Sequence, residues 1–276
     1  CNGWGVCSVY IFRYAGYKIN QAADNAAGYS IATTWKTQLG SLDVASDNAS
    51  TGADMLTTLE DTYSLITSHL QRVRDLTEQA ANGTYGSDSL KAIASEITAR
   101  LEEIDRISAN CEFNGLKMMD GSLTDDINLQ VGLYSDAASR IALDASLFQN
   151  GHVSALFKTF GGVGGATVAE VAKLCSGYDG KQITGGQNEM LNKIDAVISE
   201  ISARTTTLGA AQNRIESAVE SINVQSENIT SSLSTLRDAD VAEESSNYIK
   251  AQILQQASAT LLATANQTPS IALNLL

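Results

Sequence analysis

Residues 187–236 read QNEMLNKIDAVISEISARTTTLGAAQNRIESAVESINVQSENITSSLSTL. Taken in alternating steps of three and four they place Leu191, Ile194, Ile198, Ile201, Thr205, Leu208, Gln212, Ile215, Val219, Ile222, Ser226, Ile229, Leu233 and Leu236 on one line. All but Thr205, Gln212 and Ser226 are apolar, and no proline interrupts them. Such a heptad seam is the mark of a helix packed lengthwise against other helices. At 1.5 Å per residue it spans about 75 Å, far beyond an ordinary globular helix. The expected fold is therefore mainly α: an elongated rod of long antiparallel helices with coiled-coil-like packing.

Composition agrees. There is one proline in 276 residues, whereas compact domains use proline in turns at several per cent. The net charge of −13 argues against a protein that neutralises nucleic-acid phosphates. No apolar run is long enough to span a membrane, so no membrane insertion is expected. Cys1, Cys7, Cys111 and Cys175 have no CxxC spacing, and His69 and His152 are the only histidines. No metal or redox constellation assembles from these residues, and free thiols are the simplest reading. The apolar start, Cys1 to Phe12, lacks the basic region and cleavage site of a signal peptide.

Outward from the seam, residues 1–18 follow no period. Asp24 and Asn25 precede an apolar spacing at Ile31, Trp35, Leu39 and Leu42. From Leu56 a second long helix is expected through Leu59, Tyr63, Ile66, Leu70, Val73 and Leu76, ending at Asn82-Gly83. A third starts at Ser87 or Asp88 and carries Leu90, Ile93, Ile97, Leu101, Ile104 and Ile107, with Lys91, Arg100, Glu102, Glu103 and Arg106 on its other face. The period then changes. The turn dipeptides Asn114-Gly115 and Asp120-Gly121, and the alternation of Ile127-Leu129-Val131 and Ile141-Leu143, predict a small antiparallel β region from Cys111 to about Ser146. Residues 148–186, rich in glycine at 161–165 and at 185–186, read as a small inserted element or a long loop that a short linker could replace. A last helix carries Ile249, Ile253, Leu254, Ala257, Leu261 and Ala265 on one stripe and ends at Thr268-Pro269.

Catalytic patterns are missing: there is no GxSxG, HExxH or P-loop, and the glycines at 161–165 do not complete GxGxxG. Asp125-Asp126 and Glu243-Glu244 fit turn and helix-start positions. No cofactor, catalytic group or metal ligand is assigned, and no enzyme is expected.

Several segments resemble the bacterial flagellin family. Gly16-Tyr17-Lys18-Ile19-Asn20, with Ala22-Ala23-Asp24-Asn25-Ala26-Ala27-Gly28, is similar to the family's glycine-x-arginine-isoleucine-asparagine motif and the stretch after it. Leu70-Gln71-Arg72-Val73-Arg74-Asp75-Leu76, then Gln79 to Gly83, resembles its most specific segment. Glu96 to Ile107, Phe113 to Lys117, Leu208 to Arg214, Ala239 to Ser245, Ile253 to Ala257 and Ala265 to Gln267 keep the same order.

The resemblance implies an irregular N-terminal remnant (1–18), the N-terminal half of a helical domain with its β region (19–147), a reduced variable insert (148–186), a long returning helix (187–237) and a core-forming C-terminal helix (238–276). It implies a secreted, extracellular subunit of the bacterial flagellum that polymerises with itself into a filament for motility. Its partners would be a flagellar export chaperone, the filament cap and the host's Toll-like receptor 5, with Arg72, Leu76 and Glu96 at the family's receptor contacts. The stripe from Ile249 to Ala265 would pack between subunits. The alternatives are a flagellin-like cell-surface binding protein presenting residues 148–186, or a hook–filament junction protein. Residues 1–15 do not resemble the helix with which flagellins begin and pair their last helix. A shortened start or a diverged paralogue is therefore expected, with residues from about 239 onward largely unstructured in the monomer.

Overall fold

A computed structural model describes residues 16–158, 167–177 and 187–274. It forms two compact units, one of residues up to Ser41 together with those from Val224 onward, the other Leu42–Asn223.

The larger unit is built on helix α1 (Ala26–Ala81), α2 (Ser87–Asn110) and α5 (Gln187–Arg237). The two apolar stretches expected as separate helices belong to one helix of 56 residues. No proline separates them, and Gly52 has a packing reason: a Cβ there would lie 2.4 Å from the Leu129 side chain. In this unit α1 buries Leu42, Ala45, Ala49, Leu56, Leu59, Tyr63, Ile66, Leu70 and Val73, the threes and fours of a helix facing partners. Helix α2 answers with Leu90, Ile93, Ile97, Leu101 and Ile104. The direction of packing follows from the polar edges. Arg74 Nε donates to Asp195 Oδ1 at 2.6 Å, and Gln212 Nε2 donates to Glu60 Oε2 at 2.9 Å. As one number falls the other rises, so α1 and α5 are antiparallel here.

The buried line of α5 is Met190, Ile194, Val197, Ile201, Leu208, Ala211, Ile215 and Ile222. It shares every second position with the expected seam. At the steps between, Met190, Val197 and Ala211 are buried in place of Leu191, Ile198 and Gln212. A helix of 3.6 residues per turn drifts against a strict 3.5 repeat, and Gln212 is drawn to the polar edge by Glu60.

After α2 the β region appears as expected. Strands β1 (Glu112–Phe113) and β2 (Leu116–Lys117) pair antiparallel around Asn114-Gly115, whose φ values of 49° and 81° are those of a two-residue hairpin turn. Strands β3 (Ile127–Gln130) and β4 (Arg140–Leu143) pair from Ile127↔Leu143 to Gln130↔Arg140. The Asn48 side chain donates to the Gln130 carbonyl at 3.1 Å and holds the hairpin on α1.

Of the two readings of the insert, the structure favours the small element over the long loop. Its described part forms α3 (Val153–Leu156) and α4 (Val168–Ser176), the latter with a full capping box between Thr167 and Glu170. Helix α4 packs on α2. Phe148, Val153, Leu156, Phe157, Val171, Ala172 and Cys175 are all buried. Its apolar residues thus complete the core, which argues against a loop that a short linker could replace. The glycine run at 161–165 lies outside the described residues.

A part-buried arginine ties this layer to α5. Arg204, with 11% of its side chain exposed, donates through Nη2 to Gln149 Oε1 at 2.8 Å and pairs with Glu200. Its Nη1 is buried without an acceptor. Nearby, the Tyr63 hydroxyl donates to the Leu147 carbonyl at 2.8 Å, and burial pushes this phenol above its usual range. Arg204→Ala is expected to destabilise the protein by about 2–3 kcal/mol, less than a fully buried pair because Glu200 keeps some contact with water. Arg204→Met, which fills the space and removes the orphaned donor, should lose less. Urea denaturation of the two variants checks the order.

The smaller unit comprises the start of α1, the last turns of α5 and helix α6 (Val241–Asn274). Asn25 Oδ1 accepts from Gly28 N–H at 2.9 Å at the start of α1, and Asp24 accepts from the N–H groups of Asn20 and Gln21. Helix α6 runs on through Pro269 instead of ending at Thr268-Pro269. A proline removes one backbone donor, yet its φ is compatible with a helix. Where the sequence leaves this segment largely unstructured by itself, the structure shows one continuous helix capped by Asp240. Its carboxylate accepts from Ala242 N–H at 2.8 Å and Glu243 N–H at 3.3 Å.

Candidate functional site: an exposed apolar helix face

A surface helix in a finished core turns its apolar side inward. Helix α6 does not. Ile249, Ile253, Leu254 and Leu261 are 55%, 60%, 57% and 70% exposed, and Ala257 and Ala265 are exposed beside them. Leu262 and Val241, which the stripe did not include, are exposed as well. The sequence marks them only by their hydrophobicity. An apolar surface this continuous is the signature of an association site.

The paired carboxylates Glu243 and Glu244 lie in the first turn of α6, where the helix N-terminus favours negative charge. Asp126 accepts from Ala145 N–H at 2.9 Å and so closes a loop. A helix start thus accounts for Glu243 and Glu244, and a loop closure for Asp126. Among the described residues no group of three or more His, Cys, Asp or Glu could hold a metal ion, and no helix is long and apolar enough to cross a membrane. Cys111 and Cys175 are free and buried, the latter with its thiol pushed up to about 12 by burial, so it stays protonated and unreactive. Cys1 and Cys7 lie outside the described residues.

The second candidate surface lies on α1 and α2. Arg72 Nη2 and Glu96 Oε1 are 2.7 Å apart, with 48% and 38% of their side chains exposed. The structure thus brings two of the three expected receptor contacts together. The third is corrected: Leu76 is 2% exposed and packs in the core, where the apolar spacing of α1 carries it. Arg74, two residues along α1 from Arg72, faces Asp195 instead.

The fold and this face define a helical structural protein with its unpartnered apolar surface on one helix. Comparison with known proteins gives the family. Residues 15–124 match the bacterial flagellin N-terminal helical region and residues 191–276 the bacterial flagellin C-terminal helical region. The chain is 34% identical to flagellin of Bacillus subtilis over 95% of its length and 90% of that protein. It is 30% identical to the flagellar filament 33 kDa core protein of Treponema phagedenis, covering 95% and 89% of the two chains. Among solved structures, FlgL of Bacillus cereus shares the fold at a TM-score of 0.55, with 19% identity over 73% of this chain and 99% of that one. The chain belongs to the bacterial flagellin family, and is a structural subunit of the flagellar filament.

Proposed function

We propose that this chain polymerises with copies of itself into an extracellular flagellar filament that serves motility, and that the exposed face of α6 is the surface buried on assembly. The observation that carries the reading is the unpartnered run from Ile249 to Leu262 in a chain of this family. Association removes from water an apolar area that folding leaves exposed. A flagellar export chaperone and the filament cap are the partners such a subunit needs before and during growth. The purified chain, raised in concentration, is expected to sediment as fibres seen by negative-stain electron microscopy. A monomer at every concentration would refute the assignment. The burial of the insert's apolar residues argues against the alternative in which residues 148–186 are presented as a binding surface.

We also propose that Arg72 and Glu96 contact Toll-like receptor 5. An exposed pair of this kind contributes at most about 1 kcal/mol to stability, so either residue can be removed without unfolding the chain. Arg72→Ala or Glu96→Ala is expected to weaken receptor activation about tenfold while the circular dichroism spectrum stays the same. Background activation by the unmutated chain would overturn the proposal.

A further inference from the structure

The turn between α5 and α6 is fastened to the beginning of the described chain by backbone pairing and by the side chain of Arg237. Lys18 N–H donates to the Arg237 carbonyl at 2.6 Å, and Ala239 N–H donates to the Gly16 carbonyl at 3.2 Å, the two bonds flanking an antiparallel bridge between Tyr17 and Asp238. Arg237 then uses its side chain on the same segment. Its guanidinium carbon lies 4.1 Å from the centre of the Tyr17 ring, and its Nε donates to the Ile19 carbonyl at 3.3 Å. On the other side of the turn, the Ser234 hydroxyl donates to Asp238 Oδ2 at 2.6 Å. Backbone pairing, a charged donor and a cation stacked on an aromatic ring therefore all meet at the point where α5 ends and α6 begins.

We propose that Arg237 is a latch: closed, it holds Gly16–Ile19 against the α5–α6 turn and so sets the direction in which α6 leaves; open, it frees both strands of the bridge together. The three residues Asp238, Ala239 and Asp240 between long helices offer little resistance to bending, and the only cross-ties on the turn from elsewhere in the described chain are those to Gly16, Tyr17, Lys18 and Ile19. Since the apolar face lies on α6, the latch determines where that face points, and this consequence rests on the assembly reading above. The lysine variant should not substitute fully, because an ammonium cannot lie flat on the ring while directing a donor at the Ile19 carbonyl.

Amide hydrogen exchange on the monomer tests the latch without assembly. The two reporters, Lys18 N–H and Ala239 N–H, are backbone donors whose partners survive substitution of the side chain. Arg237→Ala is expected to speed exchange at both by about 30-fold through loss of the charged hydrogen bond and the ring contact. Tyr17→Leu should speed both by about threefold, Tyr17→Phe by less, and Arg237→Lys should fall between wild type and Arg237→Ala. Exchange at Lys18 within twofold of wild type in Arg237→Ala would overturn the latch, because the segment would then be held by backbone pairing alone. If Arg237→Ala opens the bridge yet forms fibres at the wild-type concentration, the direction-setting role is wrong. Failure of the wild type itself to form fibres would refute the assembly reading and leave the exchange result standing.

Discussion

Replacing residues 149–186 with a short Gly/Ser linker is expected to lower the melting temperature of this protein by more than about 15 °C, or to abolish its cooperative unfolding. The replaced stretch contributes Val153, Leu156, Phe157 and Val171 to the core, each fully or almost fully buried. At about 1.5–3 kcal/mol per side chain these four account for roughly 6–12 kcal/mol of gross burial. A domain of this size shifts by about 2–4 °C per kcal/mol. The facing residues of α2 would also be uncovered, since α4 packs on that helix. A shorter connection returns little, because loop closure changes by only about 0.6 kcal/mol per doubling of length. Phe157→Ala gives the same reading at one position, with an expected loss of about 3–5 kcal/mol from transfer and cavity. A differential scanning calorimetry trace within a few degrees of wild type for the linker variant would show that the insert covers the core without supporting it.

That result bears on how much of the fold could be read from residues alone. Helices with a sustained period were legible because many positions vote for one face: every second position of the α5 seam from Ile194 to Ile222, the stripe of α6 and most of the spacings of α1 and α2 reappear in the structure. The hairpins were legible from Asn114-Gly115 and from alternation, since turn chemistry and pleat period are local. The insert was not legible, because glycines on both sides hid a nine-residue helix whose burial depends on α2, far away in sequence. Leu76 failed as a surface residue for a related reason. Its place in a family contact set and its place in the apolar spacing of α1 conflicted, and the core decided it. Arg204 and Arg237 carried no signal of their own. One stands within the seam and the other at a helix end, and each acquires its role from residues 55 and 218 positions away.

The α6 face was legible as a stripe, and its exposure turns it into a sharp test. The double substitution Ile253→Asp with Leu261→Asp is expected to raise the concentration needed for fibre formation by at least about 100-fold. Each large apolar side chain buried on association contributes about 1.5–3 kcal/mol, and every 1.4 kcal/mol is a factor of ten. Two carboxylates placed in an apolar contact add a desolvation cost on top. The folded monomer should barely notice, because both positions are more than half exposed and an aspartate in a helix interior costs only about 0.7 kcal/mol. Gln252→Asp makes the comparison clean. It adds half of the double variant's charge to the same helix at an exposed position about 100° around from Ile253 and about 180° from Leu261, so it shows what one helical aspartate does outside the stripe. Sedimentation of all three chains at matched ionic strength separates the outcomes. Loss in the double variant with near-normal assembly of Gln252→Asp locates the interface on the stripe. Equal behaviour of the two variants would mean that charge, and not the apolar face of α6, governs association.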